Sequence, residues 1–430
     1  MSFSTRFNDI RTGFERPFWI ANISEIFERV AYYGAFASLA LYLQDKLHFS
    51  TQATGTLTGI FGGMVWFLAI FGGAVADRLG FRRALSLAYL ILAVAYFLIG
   101  SIAAPWLAPA RNALGSGVFV AIILMLPALG VAMVKPSVVG TTARASKENV
   151  RSIGYSIYYT MVNIGGALGP LFAGWAHAHL GLENVYRIVA IFVFAMFFFV
   201  LLLFREPKRA ASDPQLSVRQ VTRNFFTVLG NFRFMLFLII FSGFWIVYWQ
   251  MYIVMPVYLA KYVLTSPETS GVIERVIVTD GVTVMCLTII INLLTRKMKS
   301  FAAVIVGTLI SSLSWLILAN KPAIWAAVLT LFVLAIGEII QQPRYYEYIS
   351  RLAPPGQQGT YMGFAFLPIG IGSLVGGPLG GWLLTHFAEH GHPTRVWYAI
   401  SGIGVLTTLL LWIYDRASRN GNSTTVTAAQ

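Results

Sequence analysis

Apolar residues in this chain fall in long continuous stretches, not in the strict alternation of a half-buried strand or the narrow stripe of a surface helix. Between charged or Gly/Pro-rich breaks they run near 17–43, 51–76, 82–103, 116–138, 152–177, 183–204, 233–262, 268–295, 300–319, 322–346, 359–387 and 394–415. A hydrocarbon core about 30 Å thick takes about 20 helical residues, so the pattern predicts an all-α membrane protein with twelve transmembrane helices. The stretch 205–232 is different. It holds Arg205, Lys208, Arg209, Arg219 and Arg223, with Val218, Val221, Phe225 and Val228 at helical spacing, the pattern of an interfacial amphipathic helix. That linker separates two six-helix halves, 1–204 and 233–415, and residues 416–430 form a tail. Phe3, Phe7, Ile10 and Phe14 repeat the amphipathic pattern beside Arg6 and Arg11, so the N-terminus either lies along the inner leaflet or frays.

Composition agrees: 57% hydrophobic against 11% charged residues excludes the water-soluble domains that 430 residues would otherwise suggest. The formal charge of +14 does not point to nucleic acid, because the basic residues punctuate apolar runs and do not cover a solvated face. Of the 31 Lys and Arg residues, 22 lie on the side of the N-terminus, seven lie on the other side, and Arg29 and Lys135 fall within spans. The positive-inside rule then puts both termini in the cytoplasm of a multi-pass protein of a prokaryotic plasma membrane. Residues 1–16 lack the apolar core and cleavage site of a secretory signal. Cys286 stands alone, the six histidines form no HExxH, and no nucleophile and base share a spacing, so neither a disulfide framework nor an enzyme is expected. His386, His390 and His392 fall short of a usual metal-ligand set. The expected partners are the bilayer and a small solute, with no cofactor and a single chain as the working unit.

Shifting the chain on itself by 207 residues aligns Pro136 with Pro343, Arg144 with Arg351, Ile164-Gly165 with Ile371-Gly372, Gly169 with Gly376, and Gly174-Trp175 with Gly381-Trp382. Two parallel six-helix halves with a solute site between them are similar to the major facilitator architecture. Small residues recur at four-residue spacing in Gly55, Gly59 and Gly63, in Gly165 and Gly169, and in Gly372, Gly376 and Gly380. Such stripes allow close backbone approach, either as static packing or as gliding seams between the halves. After the second span, Gly73, Asp77, Arg78, Gly80, Arg82 and Arg83 resemble the major facilitator GxxxDRxGxRR signature. Asp77 is expected either to accept charge-assisted hydrogen bonds from the arginines or to sit at a helix N-terminus, and in both cases to form a breakable cytoplasmic latch.

Ionisable residues at bilayer depth are costly, at least about 2.5–3.5 kcal/mol each, and are functional candidates by default. Glu25, Glu28, Arg29, Lys135 and Glu338 stand out in this chain, with Asp280 a sixth. Glu25 and Arg29 share a helical face with Glu28 adjacent, so two carboxylates can share one guanidinium, and Lys135 is placed to supply the missing positive charge. If it does, protonating a glutamate would free a cation for a solute carboxylate. The same residues can equally form a static charge network. Glu338 needs a partner, either a solute ammonium or Arg344; Asp280 either faces the same cavity or caps a broken helix. Of the aromatic clusters, Tyr32 and Tyr33 beside the charged face are the expected cavity residues.

These residues resemble the proton-dependent oligopeptide transporter family. Its first-helix ExxER motif with a following tyrosine pair and glycine appears as Glu25-Ile-Phe-Glu28-Arg29-Val-Ala-Tyr32-Tyr33-Gly34, its fourth-helix Lys-Pro as Lys135-Pro136, and its fifth-helix run as Tyr158-Tyr159-Thr-Met-Val-Asn163-Ile164-Gly165. Glu338…Pro343 matches the tenth-helix glutamate and proline with a shift. The resemblance implies proton-driven uptake of di- and tripeptides, with Glu25, Glu28 and Arg29 coupling the proton and Lys135 linked to them. It implies that Asn163 and Glu338 receive the peptide amine, with Tyr159 nearby. Two positions depart from the family. Its second arginine is Phe36 here, and its seventh-helix glutamate is Trp249 before Gln250, leaving a less polar wall and one fewer cation. Gly165-Gly-Ala-Leu-Gly169-Pro170 also resembles the fifth-helix signature of drug–proton antiporters, so export of amphiphilic compounds is the alternative.

Overall fold

A computed structural model of the protein describes residues 12–207, 218–264, 270–354, 358–388 and 390–427. It is all helical, as the apolar runs predict. Twelve long helical stretches account for most of it: α1 (Arg16–Leu41), α2 (Thr51–Leu79), α3 (Phe81–Ile99), α4 (Ser116–Arg144), α5 (Arg151–Leu180), α6 (Leu182–Leu203), α7 (Phe232–Tyr248), α8 (Val272–Thr295), α9 (Ser300–Asn320), α10 (Ile324–Leu352), α11 (Leu367–Leu383) and α12 (Arg395–Thr427). Among the described residues, ten helices are long and apolar enough to cross a membrane. The other two, α1 and α5, are as long but more polar, carrying the Glu25, Glu28, Arg29 cluster and Arg151, Tyr159, Asn163. Large apolar side chains face outward, Ile289 at 74%, Leu294 at 79% and Leu202 at 73% exposure, a surface that suits lipid and not water.

Proline decides where helices break and where they do not. α7 ends at Tyr248 and continues as Gln250–Ile253 and Met255–Tyr262, and the second break falls where Pro256 lacks the N–H that a continuous helix needs. Pro368 likewise separates Gln358–Phe364 from α11. Pro136 and Pro343, paired by the repeat, lie inside unbroken helices, so α4 runs on to Arg144 and α10 to Leu352, beyond the stretches read from hydropathy. Neighbouring helices make such interruptions tolerable in a membrane bundle. The linker forms a helix over Val218–Leu229. At the other end of the chain, Phe14 does not lie in a leaflet. It is buried against Phe18, ring centroids 4.3 Å apart, and its backbone bridges to Ser146. Phe3, Phe7 and Ile10 lie outside the described residues.

Helix pairing repeats with a period of six. α2 packs on α4, as α8 does on α10; α1 on α5, as α7 on α11; α3 on α6, as α9 on α12. Between these groups the main contacts are α2 with α11 and α5 with α8, which exchange under the same shift. The α2–α11 seam is made by glycine. A Cβ on Gly59 would sit 2.6 Å from Ser373 O and 2.8 Å from Gly377 Cα, and one on Gly55 would sit 2.6 Å from Gly377 O. Ser373 donates to Gly59 O at 3.1 Å, and Gln52 to Pro378 O at 3.0 Å. The Gly165 and Gly169 stripe faces elsewhere. Gly165 meets Arg29 and Ile26, and Gly169 meets Gly34 and Val30, so this stripe seats α5 on α1 and not on the opposite half.

Candidate functional site

α1 carries a charge cluster that follows from its spacing. Four residues apart, Glu25 and Arg29 meet at 3.4 Å, and Arg29 also pairs with Glu28, so one guanidinium serves two carboxylates. All three are at most 2% exposed. Lys135 does not join them by an ion pair. Its Nζ lies over the Trp66 ring at 4.3 Å and over the Phe366 ring at 4.8 Å. Since Trp66 belongs to α2 and Phe366 leads into α11, this ammonium sits where the two helix groups meet.

A cavity of about 80 Å³ lies beside that cluster, smaller than most small-molecule sites. From one side Tyr33, Tyr159, Val162, Asn163 and Gly166 line it. From the other come Tyr248 and Tyr252 of the α7 region, Ile277, Asp280, Gly281 and Val284 of α8, and Glu338 of α10. Asp280 accepts a hydrogen bond from the Tyr248 hydroxyl at 3.1 Å, and α8 is continuous through it, so it caps no broken helix. Arg344 is committed to Glu347 at 3.0 Å and leaves Glu338 to the cavity. Asn163 donates to Tyr159 O at 2.7 Å.

Three of the aromatic positions read from sequence take other places. Tyr32 is fully buried and stacks on Phe61 at 5.7 Å; it lies about 100° around the helix from Tyr33 and does not line the cavity. Phe36 and Trp249 are buried too, with ring centroids 5.2 Å apart, and Phe36 stacks on Tyr252 at 4.6 Å. They form an aromatic plug between α1 and the end of α7, in place of a pocket wall. Tyr248 and Tyr252, which do line the cavity, lay within an aromatic run where periodicity alone could not choose among neighbours.

The cavity is closed at one end. There the backbones of α5 and α8 touch: a Cβ on Gly174 would lie 2.7 Å from Gly271 O. His177 Nδ1 meets Glu274 Oε1 at 2.7 Å across the same seam, Glu274 being fully buried. Lys261 reaches Thr51 Oγ1 at 3.1 Å. Contact between α5 and α8 continues to Gly281 against Ala167. Toward the opposite end Tyr159 is 53% exposed, so the cavity opens there.

That open end carries the GxxxDRxGxRR segment. Gly80 takes φ +79° between α2 and α3, a conformation that suits glycine. The Phe81 and Arg82 N–H groups donate to Glu206 Oε1 and Oε2 at 2.8 and 2.7 Å, and the Arg82 guanidinium donates to Leu201 O at 2.7 Å. A carboxylate therefore does sit on this helix N-terminus, and it belongs to Glu206. Arg78 and Arg83 are exposed, and the surroundings of Gly73 and Asp77 lie outside the described residues. Sequence reading missed Glu206, His177 and Glu274; an acid immediately after an apolar span was the available signal for the first.

The Major Facilitator Superfamily model matches residues 22–367 and 266–429. A multidrug resistance protein MdtH from Klebsiella pneumoniae subsp. pneumoniae is 22% identical over 388 residues, covering 89% of this chain and 90% of that protein. MdtH from Escherichia coli (strain K12 / DH10B) is 23% identical over 402 residues, covering 91% and 92%. Among solved structures, a POT family transporter in complex with 5-aminolevulinic acid superposes with a TM-score of 0.73 at 17% identity, over 93% of this chain and 96% of that one. The peptide transporter POT in complex with sulfate gives 0.74 at 18% identity, over 94% of each. With its helix pairing, its central cavity and a family match spanning nearly its whole length, the chain belongs to the Major Facilitator Superfamily, a multi-pass membrane transporter and not an enzyme.

Proposed function

We propose that this protein is a proton-coupled secondary transporter of small amine-bearing solutes, working by alternating access between halves 1–204 and 233–415. One observation carries the reading: a buried Glu25–Glu28–Arg29 cluster stands beside a cavity whose far wall presents Asp280 and Glu338. Buried ionisable groups at such depth mark proton relays and solute paths. The loop charges favour twelve passages with both termini cytoplasmic, so the sealed end is extracytoplasmic and the open end faces the cytoplasm. Glu25, Glu28 and Arg29 carry the proton, Lys135 registers the relative position of the halves, and Tyr33, Tyr159, Asn163, Asp280 and Glu338 hold the solute.

Two solute classes fit. Uptake of short peptides is supported by the first-helix motif and by the fold shared with peptide transporters. Export of amphiphilic compounds is supported by the relatives named as multidrug resistance proteins and by the aromatic pair Phe36–Trp249 where peptide transporters commonly carry opposite charges. The test is solute flux in proteoliposomes under an imposed proton gradient. Glu28→Gln is expected to abolish gradient-driven accumulation while solute counterflow survives; a variant that keeps full gradient-driven accumulation overturns the coupling role.

A further inference from the structure

The cavity's charges are one-sided. Asp280 and Glu338 face it, and among the described residues its lining includes four tyrosines but no lysine, arginine or histidine. The nearby cations are committed elsewhere: Arg29 to Glu25 and Glu28, Lys135 to the Trp66 and Phe366 faces, His177 to Glu274. A solute carboxylate entering here would meet two acids and no base.

The acids themselves want donors. Asp280 is only 6% exposed yet lines the cavity; its Oδ2 is taken by Tyr248, and its Oδ1 has no hydrogen-bond partner. Glu338 Oε2 is likewise buried without a partner. Buried polar atoms are nearly always satisfied, so partnerless acceptors on two residues that line the cavity point to a donor that arrives with the ligand. An ammonium brings several N–H donors, and the tyrosine faces around it attract cations further.

Resting on the transporter reading above, we infer that Asp280 and Glu338 form a cation subsite, and that the preferred solute is an organic mono- or diamine without a free carboxylate. This separates the two solute classes left open above, because a free dipeptide carries a carboxylate that the cavity does not serve.

The test uses the full chain and three probes: dialanine, dialanine amide and 1,8-diaminooctane. Binding to the detergent-purified protein and competition in proteoliposome counterflow are both measured. The amide and the diamine are expected to act at concentrations at least about tenfold below dialanine, a preference of about 1.4 kcal/mol. Asp280→Asn and Glu338→Gln are each expected to shrink that ratio toward one. Dialanine matching or beating its amide overturns the inference, as does an unchanged ratio in both variants. If the amide binds selectively but no probe moves under any gradient, the subsite stands and the transporter reading fails; if the probes move without preference, the transporter reading stands and the subsite fails.

Discussion

Replacing His177 with alanine strips the buried Glu274 carboxylate of its partner, Oε2 already having none. Leaving a buried acceptor without its hydrogen-bond partner costs about 1–3 kcal/mol, the desolvation penalty of that group. The cost falls on the sealed arrangement alone, since Glu274 lies at the α5–α8 contact and would be hydrated once that contact parts. At about 1.4 kcal/mol per decade, the upper figure shifts the sealed-to-open ratio by about a hundredfold. The assay is a spin-label distance distribution between positions 48 and 390, both exposed and located where the chain enters α2 and leaves α11, in a Cys286→Ser background. His177→Ala is expected to populate a longer distance. Adding Glu274→Gln should reverse most of the shift by removing the stranded charge. His179→Ala is the control, because that ring meets Trp175 of its own helix, at 2.8 Å from its backbone O and 5.5 Å from its ring centroid. An unchanged distribution in His177→Ala, or equal opening in His179→Ala, refutes the idea that this pair clamps the seam.

Three further outcomes follow from the packing. Gly59→Val should abolish flux without abolishing membrane expression, because its Cβ would meet backbone at 2.6–2.8 Å on α11, whereas Gly402→Ala, with nothing within 4 Å, should be silent in the same assay. Phe36→Arg alone buries an unpaired charge and should lower the yield of folded protein by size-exclusion profile, while adding Trp249→Glu should recover part of it, the two rings being 5.2 Å apart. A double variant no better than the single one would show that the sites do not communicate. Glu206→Ala leaves two helix N–H groups without their acceptor and should destabilise the protein by about 0.5–2 kcal/mol in detergent unfolding, the scale of a lost helix cap, with Glu206→Gln showing a smaller loss.

Long apolar runs made the helices legible because a bilayer demands them, and the spacing of Glu25 and Arg29 made their pairing legible because it is local. Side-chain direction was less accessible. Tyr32 and Tyr33 differ by one residue and therefore point to different neighbours, and nothing in the run Trp245 to Tyr252 distinguishes rings that plug a seam from rings that wall a cavity. Gly165 and Gly169 had the correct spacing for close approach, but spacing does not name the partner helix. His177 and Glu274 are 97 residues apart and became visible only once α5 and α8 were side by side. Lys135 was expected to answer the unmatched acid, yet aromatic faces on two other helices hold it.

The placement of Lys135 sets how easily it changes company. An ammonium resting on rings is held by about 0.5–2 kcal/mol per contact, well under the cost of tearing apart a buried ion pair. One of its two rings, Phe366, travels with the opposite half of the molecule. Any rocking that withdraws this ring bares one side of a positive charge whose field reaches Glu28, so mechanical displacement would be converted into an electrical signal at that buried carboxylate.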